Sequence, residues 1–191
     1  MHYIILISIF PFLISAIEAS KISKSEFYDY SALSIDGNSI RMNKYKDSKI
    51  LLVNVASKCR YTPQYNELQQ LHEHYGNELI ILGFPSNDFF WQEPGNNAEI
   101  KSFCNREYAI TFQMFEKIHV KGRKQHGLYK WLSDSELNGW NDKSPSWNFC
   151  KYLIDEKGKL IDFYPSTVSP LDTVITRHLK PILPIIDGGN K

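Results

Sequence analysis

The sequence carries no excess of charge: 22 lysines and arginines face 21 aspartates and glutamates, a formal net of +1 over 191 residues. That balance removes the usual electrostatic argument for nucleic acid or an anionic membrane as a partner. A short basic run, Lys121, Arg123 and Lys124, reads as a solvated turn. Cysteine is scarce too, with Cys59, Cys104 and Cys150 alone. An odd set of three is no disulfide framework. There are no internal repeats, no low-complexity tracts and no composition shift that would mark a domain boundary. No His/Cys/Asp/Glu cluster has metal-ligand spacing and no glycine-rich phosphate loop is present, so neither metal nor cofactor is expected.

What is present suits one folded unit. The hydrophobic fraction is 42% and the charged fraction 23%, which is ordinary for a packed domain of this length. The start differs from the rest. Residues 3–17 are apolar, too short to span a bilayer comfortably, and Ala19 follows as a small residue. Despite a weak positive region, residues 1–19 read as a cleaved secretory signal, leaving residues 20–191 as a single domain. The mature protein is then expected to be exported, periplasmic or secreted, with no stable insertion in a membrane. In an oxidising compartment three cysteines imply at least one free or exchanging thiol.

Residues 27–32 alternate aromatic and polar side chains, and Asp36-Gly37 precedes residues 39–42, which predicts an opening β-hairpin. Residues 50–56 form an apolar run of strand length, followed by Thr62 as a helix cap, Pro63 as a first helical residue and a helical face of Tyr65, Leu68, His72 and Tyr75. Gly76 ends that helix. A second apolar run at residues 79–84 completes a βαβ unit with parallel strands. After a loop over residues 85–95, Asn96 and Glu99 form a capping box for a second helix, with Ile100, Phe103 and Cys104 facing inward. Residues 128–132 predict a helix, residues 149–154 and 159–163 a second hairpin, and residues 171–179 a last helix. The sum is an α/β fold with a central mixed sheet and helices on both faces.

Cys59 falls between a buried strand and a helix, flanked by Lys58 and Arg60. Helix-terminal N–H groups and neighbouring cations favour a thiolate, which is the nucleophilic form. A small buried hydrophobe is the bland alternative from position alone. Cys59-Arg60-Tyr61-Thr62 has threonine where a C-x-x-C oxidoreductase needs its second cysteine. The P-x-x-x-T-x-x-C pattern of peroxiredoxins is also absent, since Ala56 stands at its threonine.

Asn54-Val55-Ala56-Ser57-Lys58-Cys59, with Tyr61-Thr62-Pro63-Gln64-Tyr65 after it, closely resembles the peroxidatic segment of glutathione peroxidases. Gly83-Phe84-Pro85-Ser86-Asn87 with Gln92-Glu93-Pro94-Gly95 resembles the family's second motif, and Trp147-Asn148-Phe149 its third. The order of the three is the family's, and the likeness spans residues 27–170. It implies a thioredoxin-like fold and a catalytic tetrad of Cys59, Gln92, Trp147 and Asn148. Cys59 would become a sulfenic acid on cleaving a hydroperoxide, with the N–H groups of the other three stabilising thiolate and leaving oxygen. Taken singly, each of those three also reads as an ordinary packing or capping residue. Together in ordered motifs they favour catalysis.

Cys104 resembles the resolving cysteine of thioredoxin-dependent members, which forms an intramolecular disulfide with the oxidised thiol. Its helix would have to unwind for that. Cys150 reads as buried and inert. The short connection over residues 133–146 resembles the compact, mainly monomeric branch, so a thioredoxin-like protein or glutathione is the expected reductant. Four departures stand out, one of them Asp88 in place of a usual glutamine outside the tetrad. Arg60 replaces a usual glycine, which would be strained were φ positive. Ser86 replaces a common cysteine. Phe90-Trp91 replaces a small pair before Gln92, which suggests organic or lipid hydroperoxides. Rival readings are a peroxide sensor or thiol relay using the same cysteines, a non-catalytic thioredoxin-fold binding module, and a thiol isomerase, which the missing C-x-x-C disfavours.

Overall fold

The computed structural model describes residues 26–180; the expected signal at residues 1–19 lies outside them. The predicted opening hairpin is present but displaced from residues 27–32: residues 27–29 form a 3-10 turn, and the strands are β1 (Ser31–Leu33) and β2 (Ser39–Arg41), a separate two-stranded antiparallel sheet. The central sheet has the order β5-β4-β3-β6-β7, built from β3 (Lys49–Val55), β4 (Leu79–Pro85), β5 (Gln113–Met114), β6 (Lys151–Ile154) and β7 (Leu160–Tyr164). Strands β3, β4 and β5 run parallel, whereas β6 and β7 add antiparallel.

The apolar runs become strands because both faces of the sheet are covered, a setting that favours near-continuous hydrophobic sequence. Successive side chains alternate between faces. Leu51, Val53 and Val55 therefore join one apolar cluster, while Ile50 and Leu52 join another. The first cluster is closed by Tyr65, Leu68 and Leu71 of α1 (Gln64–Tyr75), Ile100 and Cys104 of α2 (Asn97–Tyr108) and Ile175 of α5 (Thr173–Thr176). The second is closed by α3 (Gly127–Leu132) together with Phe27, Met42 and the hairpin residue Ala32. A short α4 (Ser135–Asn138) leads toward β6.

The helix ends show where local chemistry agreed with the fold and where it did not. Asn96 and Glu99 make the expected reciprocal capping box. Thr62 does not cap α1: the helix starts at Gln64, and the Thr62 hydroxyl is turned back toward the preceding loop. Gly76 closes α1 with ordinary helical φ. The need for glycine is steric, since a Cβ there would sit 2.7 Å from the His72 carbonyl. The last helix is shorter than the periodicity of residues 171–179 suggests, with Asp172 as its cap.

Candidate active site

Strands β3 and β4 are paired in parallel with Val55 opposite Pro85, so their carboxyl ends lie side by side. The loops that follow them leave the sheet at one edge, the usual place for ligands in open α/β sheets. Strand β6 runs the other way, with Lys151 opposite Val53. Its start, not its end, therefore meets that edge. This brings residues 57–62, 86–95 and 146–150 together, although they are far apart in sequence.

Hydrogen bonds stitch the three segments to one another. Ser86 N donates to Val55 O at 3.0 Å and Lys58 N donates to Gln92 O at 3.0 Å. The Ser57 hydroxyl donates to Glu93 Oε1 at 2.7 Å. Asn54, fully buried on β3, donates from Nδ2 to Trp147 O at 2.9 Å and accepts at its own carbonyl from Phe149 N. Asn148 Nδ2 donates to Gln92 Oε1 at 3.0 Å, joining two of the sequence-predicted residues directly. That bond engages the Gln92 oxygen and leaves its NH₂ as the end available to a ligand. Phe149 takes a positive φ of 66°, turning its ring into the core against Tyr65 at 5.4 Å.

Cys59 sits at the base of this edge, 7% exposed. The turn around it is closed by Thr62, whose Oγ1 accepts from Cys59 N at 2.9 Å and donates to Ala56 O at 2.9 Å. Thr62 N donates to Cys59 O, so helical turning begins at Cys59, ahead of α1 itself. The donor found on the Cys59 sulfur is the backbone N–H of Tyr61, at 3.4 Å. The side chains of Gln92, Trp147 and Asn148 border the thiol's edge of the sheet, and none of the three donates to the Cys59 sulfur; Asn148 donates to Gln92 instead. Sequence reasoning assigned the donors to side chains and passed over this backbone N–H and the Thr62 clasp. A threonine three residues after the cysteine was the available signal, a pattern in which a hydroxyl commonly bonds nearby backbone. The Ser57–Glu93 bond was missed as well, because it links two motifs that sequence leaves separate.

Trp147 is flanked by Phe89 and Phe90, with ring centroids at 5.8 and 5.4 Å. Arg60 has no positive φ, so the strain that the family's glycine raised does not arise. Its guanidinium lies over the Tyr61 ring at 5.3 Å. Positive φ falls instead on the other departures, Phe90 at 50° and Trp91 at 52°. Glu93 is almost fully buried, and burial raises its carboxyl pKa against the opposing Ser57 hydrogen bonds and the charges of Lys117 and Lys58. A cavity of about 410 Å³ opens beside it, lined by Ser57, Lys58, Gly95, Ile100 and Phe103.

All three cysteines are free thiols. Cys104 is on the inward face of α2 as expected, in the same apolar cluster as Cys59. Its thiol is pushed up to about 11, chiefly by burial, with the Tyr65 hydrogen bond opposing and the Glu93 charge adding to the rise. Cys150 is fully buried just before β6, with Ser166 Oγ at 3.5 Å from its sulfur.

The glutathione peroxidase family model matches residues 27–133. The chain is 43% identical over 145 residues to the glutathione peroxidase homolog BsaA of Halalkalibacterium halodurans, covering 75% of this chain and 92% of that protein. It is 38% identical over 156 residues to the hydroperoxy fatty acid reductase gpx1 of Synechocystis, covering 78% and 91%. Among solved structures, the apo form of Trgpx superposes with a TM-score of 0.62 at 31% identity, over 81% of this chain and 95% of that one. T. cruzi GPX1 gives 0.60 at 27% identity, over 81% and 94%. A secreted mycobacterial disulfide oxidoreductase shares the fold alone, at 12% identity and a TM-score of 0.53. The chain belongs to the glutathione peroxidase family, and it is a peroxidase built on the thioredoxin-like fold.

Proposed function

We propose that Cys59 is the peroxidatic residue and that Gln92, Trp147 and Asn148 assist it, reducing hydrogen peroxide and organic hydroperoxides in the response to oxidative stress. The observation that carries this reading is the Asn148–Gln92 hydrogen bond at the sheet edge that also holds Cys59. In the first step the Cys59 thiolate attacks the terminal peroxide oxygen. The S–O bond forms as the O–O bond breaks, giving a sulfenic acid and an alkoxide that leaves as alcohol after taking a proton. Neutral N–H donors near the departing oxygen stabilise its developing charge. The relative named a hydroperoxy fatty acid reductase supports organic hydroperoxides among the substrates.

In the second step Cys104 attacks the sulfenic sulfur, forming a disulfide and releasing water. A thioredoxin-like dithiol or glutathione then reduces that disulfide and is itself oxidised. The buried position of Cys104 supports a division into two states, because a thiol held up to about 11 inside an intact helix is a poor nucleophile. The resolving state thus requires α2 to open. We also read the protein as an exported monomer, and sizing of the mature chain with N-terminal sequencing checks both statements.

The test is one equivalent of hydroperoxide added to the fully reduced mature protein, followed by intact mass and non-reducing peptide mapping. A Cys59–Cys104 disulfide is expected, absent in Cys59→Ser. A small-thiol adduct or over-oxidation confined to Cys59 would keep the peroxidatic role and remove Cys104 from it. A Cys59 thiol that survives several hydroperoxides would sink the assignment.

A further inference from the structure

The loop before Gln92 presents Phe90 and Trp91 to solvent at 75% and 78% exposure, the two most exposed large apolar side chains among the described residues. Neither is displayed by a loose segment. Asp88 accepts from Val120 N at 2.7 Å and Lys121 N at 3.2 Å and pairs with His119 at 2.7 Å. Phe89 is buried beneath the pair, and Gln92 N donates back to Phe89 O. The loop is held, and both aromatics keep the left-handed conformation that bulky residues avoid. Strain of this kind persists where surrounding structure over-determines it, and it tends to cluster at functional sites.

The surroundings of the pair are cationic. Lys121 Nζ lies 4.1 Å from the centre of the Phe89 ring. Lys121, Phe89, Phe90, Trp91 and Trp147 together line a cavity of about 370 Å³. Arg123 and Lys124 follow on an exposed turn closed by Gln125 N donating to Gly122 O. The nearby Asp88 carboxylate is already engaged by two backbone N–H groups and His119. A balanced net charge for the whole chain therefore conceals a local patch in which exposed aromatics share a cavity with Lys121, and Arg123 and Lys124 follow it on the same exposed turn.

We propose that residues 88–91 and the basic turn at 121–124 form a peripheral docking surface for an anionic lipid bilayer. Amphipathic aromatics settle at the headgroup level and adjacent cations add attraction to acidic lipids. The proposed contact is one of surface seating; among the described residues no helix is long and apolar enough to cross a membrane. Because Phe90 packs on Trp147, docking sets the peroxidase edge against the bilayer, where hydroperoxides of lipid chains would reach it. That last consequence rests on the proposed role of Cys59; the docking itself does not.

The experiment is co-sedimentation of the mature chain with vesicles of phosphatidylglycerol and phosphatidylcholine, beside vesicles of phosphatidylcholine alone. Binding is expected to the anionic vesicles and to weaken as salt rises. Lys121→Glu should lower the partition coefficient by about fivefold or more, the scale of one basic residue near an anionic surface, and Trp91→Gly should lower it as well. Cys59→Ser should bind as the native chain does, which separates failure of docking from failure of the peroxidase assignment. Absence of binding, or equal binding to both vesicle types, overturns the proposal. So does a dimer in sedimentation velocity that Trp91→Gly dissolves, since the patch would then serve a second copy of the chain.

Discussion

Single side chains settle the local questions at this site in ways their spacing does not reveal. Arg60 is accommodated without strain and stacks on Tyr61, whereas Phe90 and Trp91 occupy left-handed backbone. For an L-residue that conformation costs about 1–2 kcal/mol, and glycine avoids it at an entropic cost of about 0.5–1 kcal/mol. Trp91→Gly should therefore leave the unfolding midpoint in denaturant unchanged or slightly raised, despite the loss of a large side chain. A drop of more than about 1 kcal/mol would show that Trp91 has packing worth more than its strain. Asn148 and Glu93 each retain a buried oxygen without a protein partner, Oδ1 and Oε2 respectively. Such orphan groups ordinarily incur a penalty, and both lie on motif loops of the site.

At the scale of elements, α2 is the segment whose stability governs the proposed second step. A disulfide needs Cα atoms within about 7 Å, and forming it from a buried, inward-facing helical cysteine requires the helix to yield. The Asn96–Glu99 capping box holds the helix start. Asn96→Ala should lower stability by about 1 kcal/mol, the ordinary value of an N-cap, and should speed alkylation of Cys104 in the reduced protein. Hydrogen exchange of α2 amides measured before and after oxidation checks the same idea. If Cys104 labels no faster in Asn96→Ala while stability falls, α2 opens from its other end, where Ala109 makes the left-handed cap.

The whole molecule adds an ionisable group that neither loop nor helix explains. Lys151, opposite Val53 on β6, is fully buried and donates to Gln64 Oε1 and Val168 O. Burial lowers its pKa to about 7, against the opposing charges of Cys150 and Glu67. The unfolded chain keeps an ordinary lysine near 10.5, so above pH 7 it binds more protons than the folded one. Stability should accordingly rise as pH climbs from about 7 toward 9. Beyond that the trend reverses for Cys104, because a raised folded pKa loses stability once the unfolded thiol ionises. Urea unfolding from pH 6.5 to 9 should show the rise in the native chain and none in Lys151→Met. An equal rise in both would place its origin elsewhere.

Much of this protein was legible in the order of its residues. The alternation of apolar runs, the capping box and the βαβ spacing are local effects that side-chain chemistry dictates wherever they occur. By their resemblance to a family pattern, the three motifs likewise point to Cys59, Gln92, Trp147 and Asn148 as the proposed set, although nothing local to Gln92 or Asn148 does so. What the sequence could not decide was which groups meet. The antiparallel insertion of β6 beside β3 carries Trp147 and Asn148 to the loop ends of β3 and β4, a consequence of sheet pairing between residues almost a hundred positions apart. Thr62 was legible as a cap but turns to the Cys59 loop, where the Cys59 N–H and the Ala56 carbonyl satisfy its hydroxyl as both acceptor and donor. The strained display of Phe90 and Trp91 is also tertiary, since the anchoring of Asp88 to residues 119–121 and the Lys58 N to Gln92 O bond help hold that loop in place. Sequence determines propensity and chemistry residue by residue; backbone pairing across the sheet determines their convergence, because long-range hydrogen bonds and packing, not local preference, fix distances between distant segments.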